Sequence, residues 1–296
     1  MSMAKGNRSM SKAVYRLSSI ARPLEAKYPT NRAVLIALPL VGLGLGLYAY
    51  LSAGGGAVNA VITGLEAMVV TFLVWALGRE ADPDRNLTAF VAAALVIYAL
   101  VMGLPVAVWT LAFVLMAART VNRTVGQPAK PGDLVMVLIL AGFSVFADGY
   151  ALMGLVAAIA IAIDVNLDRS RTLALIAALA ALGLTVWQLI ELEGDFAALL
   201  WPEAASMHLM ALIGGLVLIG LLSSLLCPRP TSVCDARGEP LSHARVRGGR
   251  LVISLALLVG MAEGNALAHA LYPLGGVLLV TFIVGFIPTR PGRPAD

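Results

Sequence analysis

Two glutamates lie within long apolar stretches of the chain, where a charged side chain is costly. Glu66 and Glu263 lie in two different predicted helices. At about 1.5 Å of rise per residue, each is roughly 12 to 13 Å from the helix end that faces the same side of the membrane. Two carboxylates at one depth favour a shared proton or a bound cation, because loss of water and like-charge repulsion both oppose two free charges. The polar groups predicted between this pair and that end are Asn265, His269, His208 and Asp148. The sequence therefore predicts an acidic ion- or substrate-binding site that opens to one side.

A structural interpretation of the two glutamates stays open. Each could be protonated and hydrogen-bonded to a neighbouring helix, which would fix helix contacts without any further role. At 100° per residue, Glu263, Asn265 and His269 point in different directions from one helix. They can face one cavity only if the helix unwinds near Gly264.

A second candidate site lies in the polar loops at the other end of the predicted helices. Acids that bind a divalent cation, beside arginines that bind phosphate, would suit chemistry on a lipid or prenyl diphosphate. Its residues are Asp82, Asp84, Arg119, Asn122, Arg123, Asp164 and Asp168. Their spacing does not match the aspartate-rich loops of intramembrane prenyltransferases or the CDP-alcohol phosphotransferase signature. The alternative is that these residues are topology signals and helix caps, as expected for Asp133.

The elements that must position these residues are apolar helices. The 296 residues are 59% apolar and 13% charged, which is typical of a chain whose solvent is mostly lipid. About 20 residues cross the hydrocarbon of a bilayer. The predicted segments are 33–52, 57–77, 87–103, 105–118, 134–147, 150–163, 173–192, 205–226, 251–271 and 272–287. The fold class is thus predicted to be an all-α polytopic membrane protein with about ten transmembrane helices.

The distribution of charge supports this threading. All 21 Lys and Arg residues fall on one side of it, whereas the opposite loops carry only Asp148, Glu193, Asp195 and Glu203. Basic flanks are retained in the cytoplasm, so both termini are predicted to be cytoplasmic and the protein to lie in the inner membrane. Segments 105–118, 134–147 and 150–163 have only about 14 residues each, which is short for crossing a bilayer. The alternation of sides would fail if residues 134–163 formed one helix.

Three regions are predicted along the chain. Residues 1–32 form a basic cytoplasmic tail, in which residues 10–27 suggest an interfacial helix interrupted by Pro23, with a disordered tail as the alternative. Residues 33–287 form one transmembrane domain, and residues 288–296 a short cytoplasmic tail. The four-residue spacing of Gly42 and Gly46, and of Gly260 and Gly264, predicts close helix packing. Cys227 and Cys234 indicate neither a disulfide nor a zinc site.

The function predicted first is a small-molecule or ion transporter, because the chain lacks soluble catalytic motifs and carries acids at mid-depth. The alternatives are a membrane-embedded enzyme acting on a lipid or prenyl substrate at the cytoplasmic face, and an accessory subunit of a membrane complex. The loop from Arg229 to Arg250 is expected to bind anionic lipid head groups or a partner subunit. A homo-oligomer is also compatible with the sequence, and nothing in it indicates a nucleic-acid partner. Metal and cofactor, including pigment, quinone or haem, stay open.

Overall fold

The computed structural model describes residues 14–52, 56–168, 172–191, 207–263 and 269–287. Beyond a single helical turn at residues 14–17, its described part contains ten α-helices, each of which overlaps one predicted segment. They are α1 (Pro29–Ser52), α2 (Ala57–Ala81), α3 (Asn86–Val101), α4 (Val108–Asn122), α5 (Pro131–Phe146), α6 (Met153–Asp168), α7 (Thr172–Glu191), α8 (Met207–Leu225), α9 (His243–Ala262) and α10 (Tyr272–Gly285). The all-helical class is confirmed for the described residues.

The two short hairpins turn where the sequence predicts. Gly103, with φ +72°, follows α3, and Gly149, with φ +86°, follows α5. Glycine adopts this left-handed backbone without the steric cost that a Cβ imposes. Residues 134–163 therefore form parts of two helices rather than one, which preserves the predicted alternation.

Contacts between loops show that the helices run alternately between two ends. At one end, here called the basic end, the Arg22 guanidinium contacts Asp235, and Arg250 Nε donates to the Ala81 carbonyl at 2.6 Å. Arg85 donates to the Gly285 carbonyl there at 3.2 Å, which joins the start of α3 to the end of α10. The basic loops of the predicted inner side are thus gathered on one face of the bundle.

The other end, here called the opposite end, gathers described residues of the turns between α3 and α4, between α5 and α6, and between α9 and α10. The Ala107 N–H donates to the Ala270 carbonyl at 3.2 Å, which ties the start of α4 to the turn before α10. Asp148, after α5, contacts Thr110 in the first turn of α4. Glu263, after α9, contacts Leu152 just before α6.

The core is centred on α4. Leu111, Phe113 and Leu115 on this helix are fully buried, as is nearly every residue from 110 to 122. Helix α1 packs on α2 at close range, because a Cβ on Gly64 would lie 2.6 Å from the Gly42 carbonyl oxygen. The predicted close packing at Gly42 and Gly46 is therefore confirmed, with Gly64 as the partner position on α2.

The outer surface is apolar. Helices α1, α2 and α7 are each long and apolar enough to cross a membrane, and α1 and α7 bury little of their surface within the protein. Large apolar side chains such as Leu43 and Leu179 are about 70% exposed. A helix surface of this kind belongs in lipid, so the structure supports a membrane-associated protein.

Several predicted boundaries were wrong. Helix α9 begins at His243, not at residue 251, and ends at Ala262, so Glu263 lies at a helix end rather than deep within a helix. Helix α4 starts at Val108 and α6 at Met153, each three residues later than predicted. The predicted interfacial helix at residues 10–27 is reduced, within its described part, to one turn at residues 14–17, and residues 18–28 are extended or turned.

Candidate functional site

A fully buried carboxylate organises the basic end. Glu80, in the last turn of α2, has no exposed side-chain surface, and its Oε1 accepts from Arg119 Nε at 3.1 Å and from Arg22 at 3.3 Å. Its Oε2 accepts from Asn122 Nδ2 at 3.2 Å, and Thr124 lies 3.5 Å from Oε1. The Glu80 carboxylate therefore partly compensates the charges of two arginines that come from distant segments of the chain.

The N-terminal segment 14–28 lies across this end and is held by several contacts. The Asp133 carboxylate accepts from the Ser18 hydroxyl at 2.5 Å, and from the Ser19 N–H and hydroxyl at 2.8 and 2.6 Å. Arg22 forms a bidentate pair with Asp235 at 2.7 and 3.1 Å. Burial alone would lower the pKa of Arg22, but the carboxylates of Asp235 and Glu80 raise it above its ordinary value. The segment is thus part of the folded structure.

Segment 14–28 covers a cavity of about 470 Å³. Its walls come from this segment, the start of α1, the last turns of α2, the end of α4 and residues 231–241. The lining is mixed, with apolar side chains such as Leu24, Phe72 and Leu241 beside four cations. A concave site with an apolar wall and a few polar groups is the usual form of a small-molecule pocket.

Arg79 differs from the other cations of this cavity. Arg22 and Arg119 pair with Glu80, and Lys27 pairs with Glu25. Arg79 has no carboxylate partner among the described residues; one nitrogen is 3.5 Å from the Thr30 hydroxyl, and its buried Nε has no acceptor.

Trp75 lies one helical turn before Arg79, and the Arg79 guanidinium carbon lies 5.8 Å from the centre of the indole ring. Trp75 is only 5% exposed, yet its indole Nε1 has no hydrogen-bond partner within the described structure. A buried donor without an acceptor costs about 1 to 3 kcal/mol. Two donors on one face of α2 therefore lack an acceptor at the wall of the cavity.

The predicted cytoplasmic site residues are divided among separate contacts. Arg119 and Asn122 join Glu80, whereas Arg123 forms a bidentate pair with Asp164 at 2.7 and 2.9 Å, and Arg245 contacts the same carboxylate at 2.7 Å. No group of three His, Cys, Asp or Glu side chains able to hold a metal occurs among the residues that the structure describes.

The remaining predicted acids of this end have local partners. Asp84 accepts from the N–H groups of Thr231 and Ser232 at 2.8 Å each. Asp82 accepts from the Thr88 hydroxyl at 2.8 Å, and burial raises the pKa of this carboxyl although Thr88 and Arg85 act to lower it. Asp168 is the last residue of α6, and its side chain lies outside the described part.

At the opposite end, two predicted site residues contact the first turns of neighbouring helices. Asp148 Oδ2 accepts from the N–H and hydroxyl of Thr110 at 2.8 Å each, at the start of α4. Glu263 Oε1 accepts from the Leu152 N–H at 2.6 Å, just before α6. Acids are favoured at helix N-termini because the free N–H groups and the helix dipole are positive there. Glu263 Oε2 is buried without a partner in the described structure, and both acids interact electrostatically with Tyr150.

Glu66, His208 and His269, the other described members of the predicted outward site, have no described contact with Glu263. Glu66 is exposed on the surface of α2 and interacts electrostatically with Tyr272, and the described contacts include none between the two glutamates. His208 and His269 are exposed. Asn265 lies outside the described residues.

The sequence reasoning did not predict Glu80, Arg22, Asp235, Trp75 or Arg79 as site residues. One signal was present, since Trp75 and Arg79 are four residues apart and therefore share a helix face. The pairing of Arg22 with Glu80 and Asp235 joins residues 58 and 213 positions apart, which a single sequence does not reveal.

No family model, no curated protein and no solved structure matches this chain. The chemistry of the site is therefore the basis for a functional assignment.

Proposed function

We propose that the chain is a multi-pass protein of the cytoplasmic membrane, in which all ten helices cross and the basic end faces the cytoplasm. The alternation of the helices between two ends supports this, as does the restriction of all 21 Lys and Arg residues to the predicted inner side. The shortest helix, α10, has 14 residues and about 21 Å of length, so the bilayer or neighbouring side chains adjust to it.

The function that the geometry supports best is binding of an anionic, phosphate-bearing amphiphile in the cavity at the basic end. The observation that carries this proposal is the pair of unpartnered donors, Trp75 Nε1 and Arg79 Nε, at the cavity wall. A phosphate group supplies several acceptor oxygens, and its charge would compensate Arg79.

The apolar part of such a ligand also has a place in the cavity. Leu24, Phe72 and Leu241 provide a hydrocarbon-compatible wall beside the two donors. Binding of this kind suits the lipid-directed alternative more directly than the outward-opening transporter. The carboxylates of Glu80, Asp164, Asp82 and Asp84 already hold arginines, hydroxyls or backbone N–H groups. Ligand binding, rather than acid–base chemistry, is therefore the role proposed for the site.

The test is native mass spectrometry of the full chain in neutral-lipid nanodiscs titrated with dioctanoyl phosphatidic acid. Arg79→Gln and Trp75→Phe should each weaken binding by at least about tenfold, since a hydrogen bond to a charged group contributes about 1.5 to 3 kcal/mol. Arg32→Gln is the matched control, because Arg32 is exposed, lies outside the Arg229–Arg250 loop and does not line the cavity. Equal affinity for all four proteins would contradict the proposal, and inorganic phosphate competing equally well would remove its amphiphile part.

A transporter with an outward-opening acidic site is the second candidate, supported by the unpartnered Oε2 of Glu263. Its test is proton or sodium flux into liposomes, measured for the wild type and for Glu263→Gln. The glutamine keeps an acceptor for the Leu152 N–H but cannot carry the charge. Flux that is lost in this variant supports the candidate, and flux that is absent in the wild type or unchanged by the substitution rejects it.

A further inference from the structure

A second concavity, separate from the cavity under segment 14–28, lies between α6, α8 and α9. Its volume is about 210 Å³, and its walls are apolar, with Ile163 from α6, Leu221 from α8 and Leu251 and Leu255 from α9. The one polar side chain in the lining, Ser254, donates its hydroxyl to the Arg250 carbonyl at 2.9 Å. Leu221 and Leu251 are each nearly 40% exposed, so this groove opens on the outer surface of the bundle.

An arginine lies at the end of the groove that is nearer the basic end. Arg247, Leu251 and Leu255 follow one another at intervals of four residues, so they share one face of α9. Arg247 Nε donates to the Ser224 carbonyl at 3.1 Å, and Ser224 is three residues beyond Leu221 on α8. The guanidinium therefore sits across the α8–α9 boundary, directly beyond the apolar groove.

The charge of Arg247 is not compensated within the described structure. Its side chain is partly exposed, and no carboxylate among the described residues pairs with it. Arg245, two residues earlier, differs because it contacts Asp164 at 2.7 Å. An apolar groove with an unpaired cation at one end matches the two parts of an anionic lipid.

We propose that this groove binds one acyl chain of an anionic phospholipid of the inner leaflet, with the lipid phosphate on Arg247. The inference depends on the membrane orientation in the proposed function, which places Arg247 at head-group level, but not on the ligand of the first cavity. Leu251 to Leu258 covers about 10 Å of helix, most of the roughly 15 Å of hydrocarbon in one leaflet. The inner leaflet supplies the negative head groups that this arginine attracts.

The experiment is native mass spectrometry of the full chain released from nanodiscs of equal phosphatidylglycerol and phosphatidylcholine. On the Arg79→Gln background, in which lipid binding at the first cavity is weakened, the protein should retain one phosphatidylglycerol in preference to phosphatidylcholine. Arg247→Gln should reduce that retained fraction at least fivefold, Arg247→Lys should restore part of it, and Leu255→Trp should reduce it by filling the groove. Two controls should retain the lipid: Arg32→Gln, at an exposed arginine in the first turn of α1, and Leu179→Trp, on the exposed face of α7.

The outcomes separate this site from the first cavity. Phosphatidylglycerol that the wild type retains beyond this one copy, and that Arg79→Gln removes, belongs to the first cavity. Equal retention of the two lipids, or retention that survives both Arg247→Gln and Leu255→Trp, would overturn the proposal. A dimer that Leu255→Trp dissociates would also overturn it, because a second copy of the chain would then occupy the groove.

Discussion

Removal of the Glu80 charge is predicted to destabilise the protein strongly. This carboxylate is completely buried and accepts hydrogen bonds from Arg119, Arg22 and Asn122 at 3.1 to 3.3 Å. Arg119 is only 8% exposed, so bulk water cannot replace its contact with Glu80 unless the side chain moves. Glu80→Gln keeps the shape of the side chain but leaves two guanidinium groups beside a neutral amide.

The expected cost follows from this burial. Removal of one partner from a buried ion pair typically costs about 3 to 5 kcal/mol, because the remaining charge stays desolvated and unpaired. Arg22 keeps its bidentate contact with Asp235, so the uncompensated charge is mainly that of Arg119. We therefore expect Glu80→Gln to lower the free energy of unfolding by about 3 kcal/mol, near the lower end of that range.

The assay is reversible unfolding of the purified protein in mixed micelles with increasing SDS, followed by tryptophan fluorescence. Glu239→Gln serves as the control, because Glu239 is an exposed acid of the loop between α8 and α9. The double variant Glu80→Gln with Arg119→Gln should recover part of the loss, since it removes the orphaned charge. A loss below about 1 kcal/mol for Glu80→Gln, the value of a typical exposed pair, would refute the reasoning.

Three further predictions concern other parts of the structure. Burial raises the pKa of Asp82 above its ordinary value of 3.8, so ionisation of this carboxyl opposes folding. Asp82→Asn should therefore be more stable than the wild type at neutral pH. In denaturation curves this advantage should appear as the pH rises above 3.8 and vanish below that pH. Asp133→Ala should raise hydrogen exchange of the Ser19 amide about 10- to 100-fold by mass spectrometry, and an unchanged rate would mean that other contacts hold segment 14–28. Gly64→Ala should destabilise the protein by about 1 to 3 kcal/mol, because the new Cβ would meet the backbone of α1. Gly44→Ala should not, because the space around Gly44 is open. Equal effects of the two substitutions in thermal unfolding would contradict the close packing of α1 on α2.

Much of the architecture could be predicted from the sequence. Apolar runs of 14 or more residues marked all ten helices, and the turns at Gly103 and Gly149 fell where these residues suggested. The start of α9 was predicted too late because the arginines from Arg245 to Arg250 interrupt the apolar pattern. Arg250 is nonetheless buried, since the Ala81 and Ser223 carbonyls accept from it at 2.6 and 2.8 Å. Those acceptors come from other helices and are invisible in the local sequence.

The candidate site was less accessible to sequence reasoning. Arg119 and Asn122 were among the residues predicted for the cytoplasmic site, and both contact Glu80, which the sequence reasoning did not include. An isolated acid at a helix end resembles an ordinary solvated residue, and only the tertiary fold shows that it is buried. The lack of an acceptor for the Trp75 indole N–H is likewise a property of the tertiary fold, because no described residue places an acceptor beside it.

The most direct test of the central claim is a cryo-electron microscopy map of the protein extracted with its native lipids, at a resolution that shows side chains around Trp75. The account predicts density in the cavity with an acceptor group about 3 Å from Trp75 Nε1 and within hydrogen-bonding distance of the Arg79 guanidinium. A cavity that holds only water, or one in which a protein group reaches both donors, would contradict it.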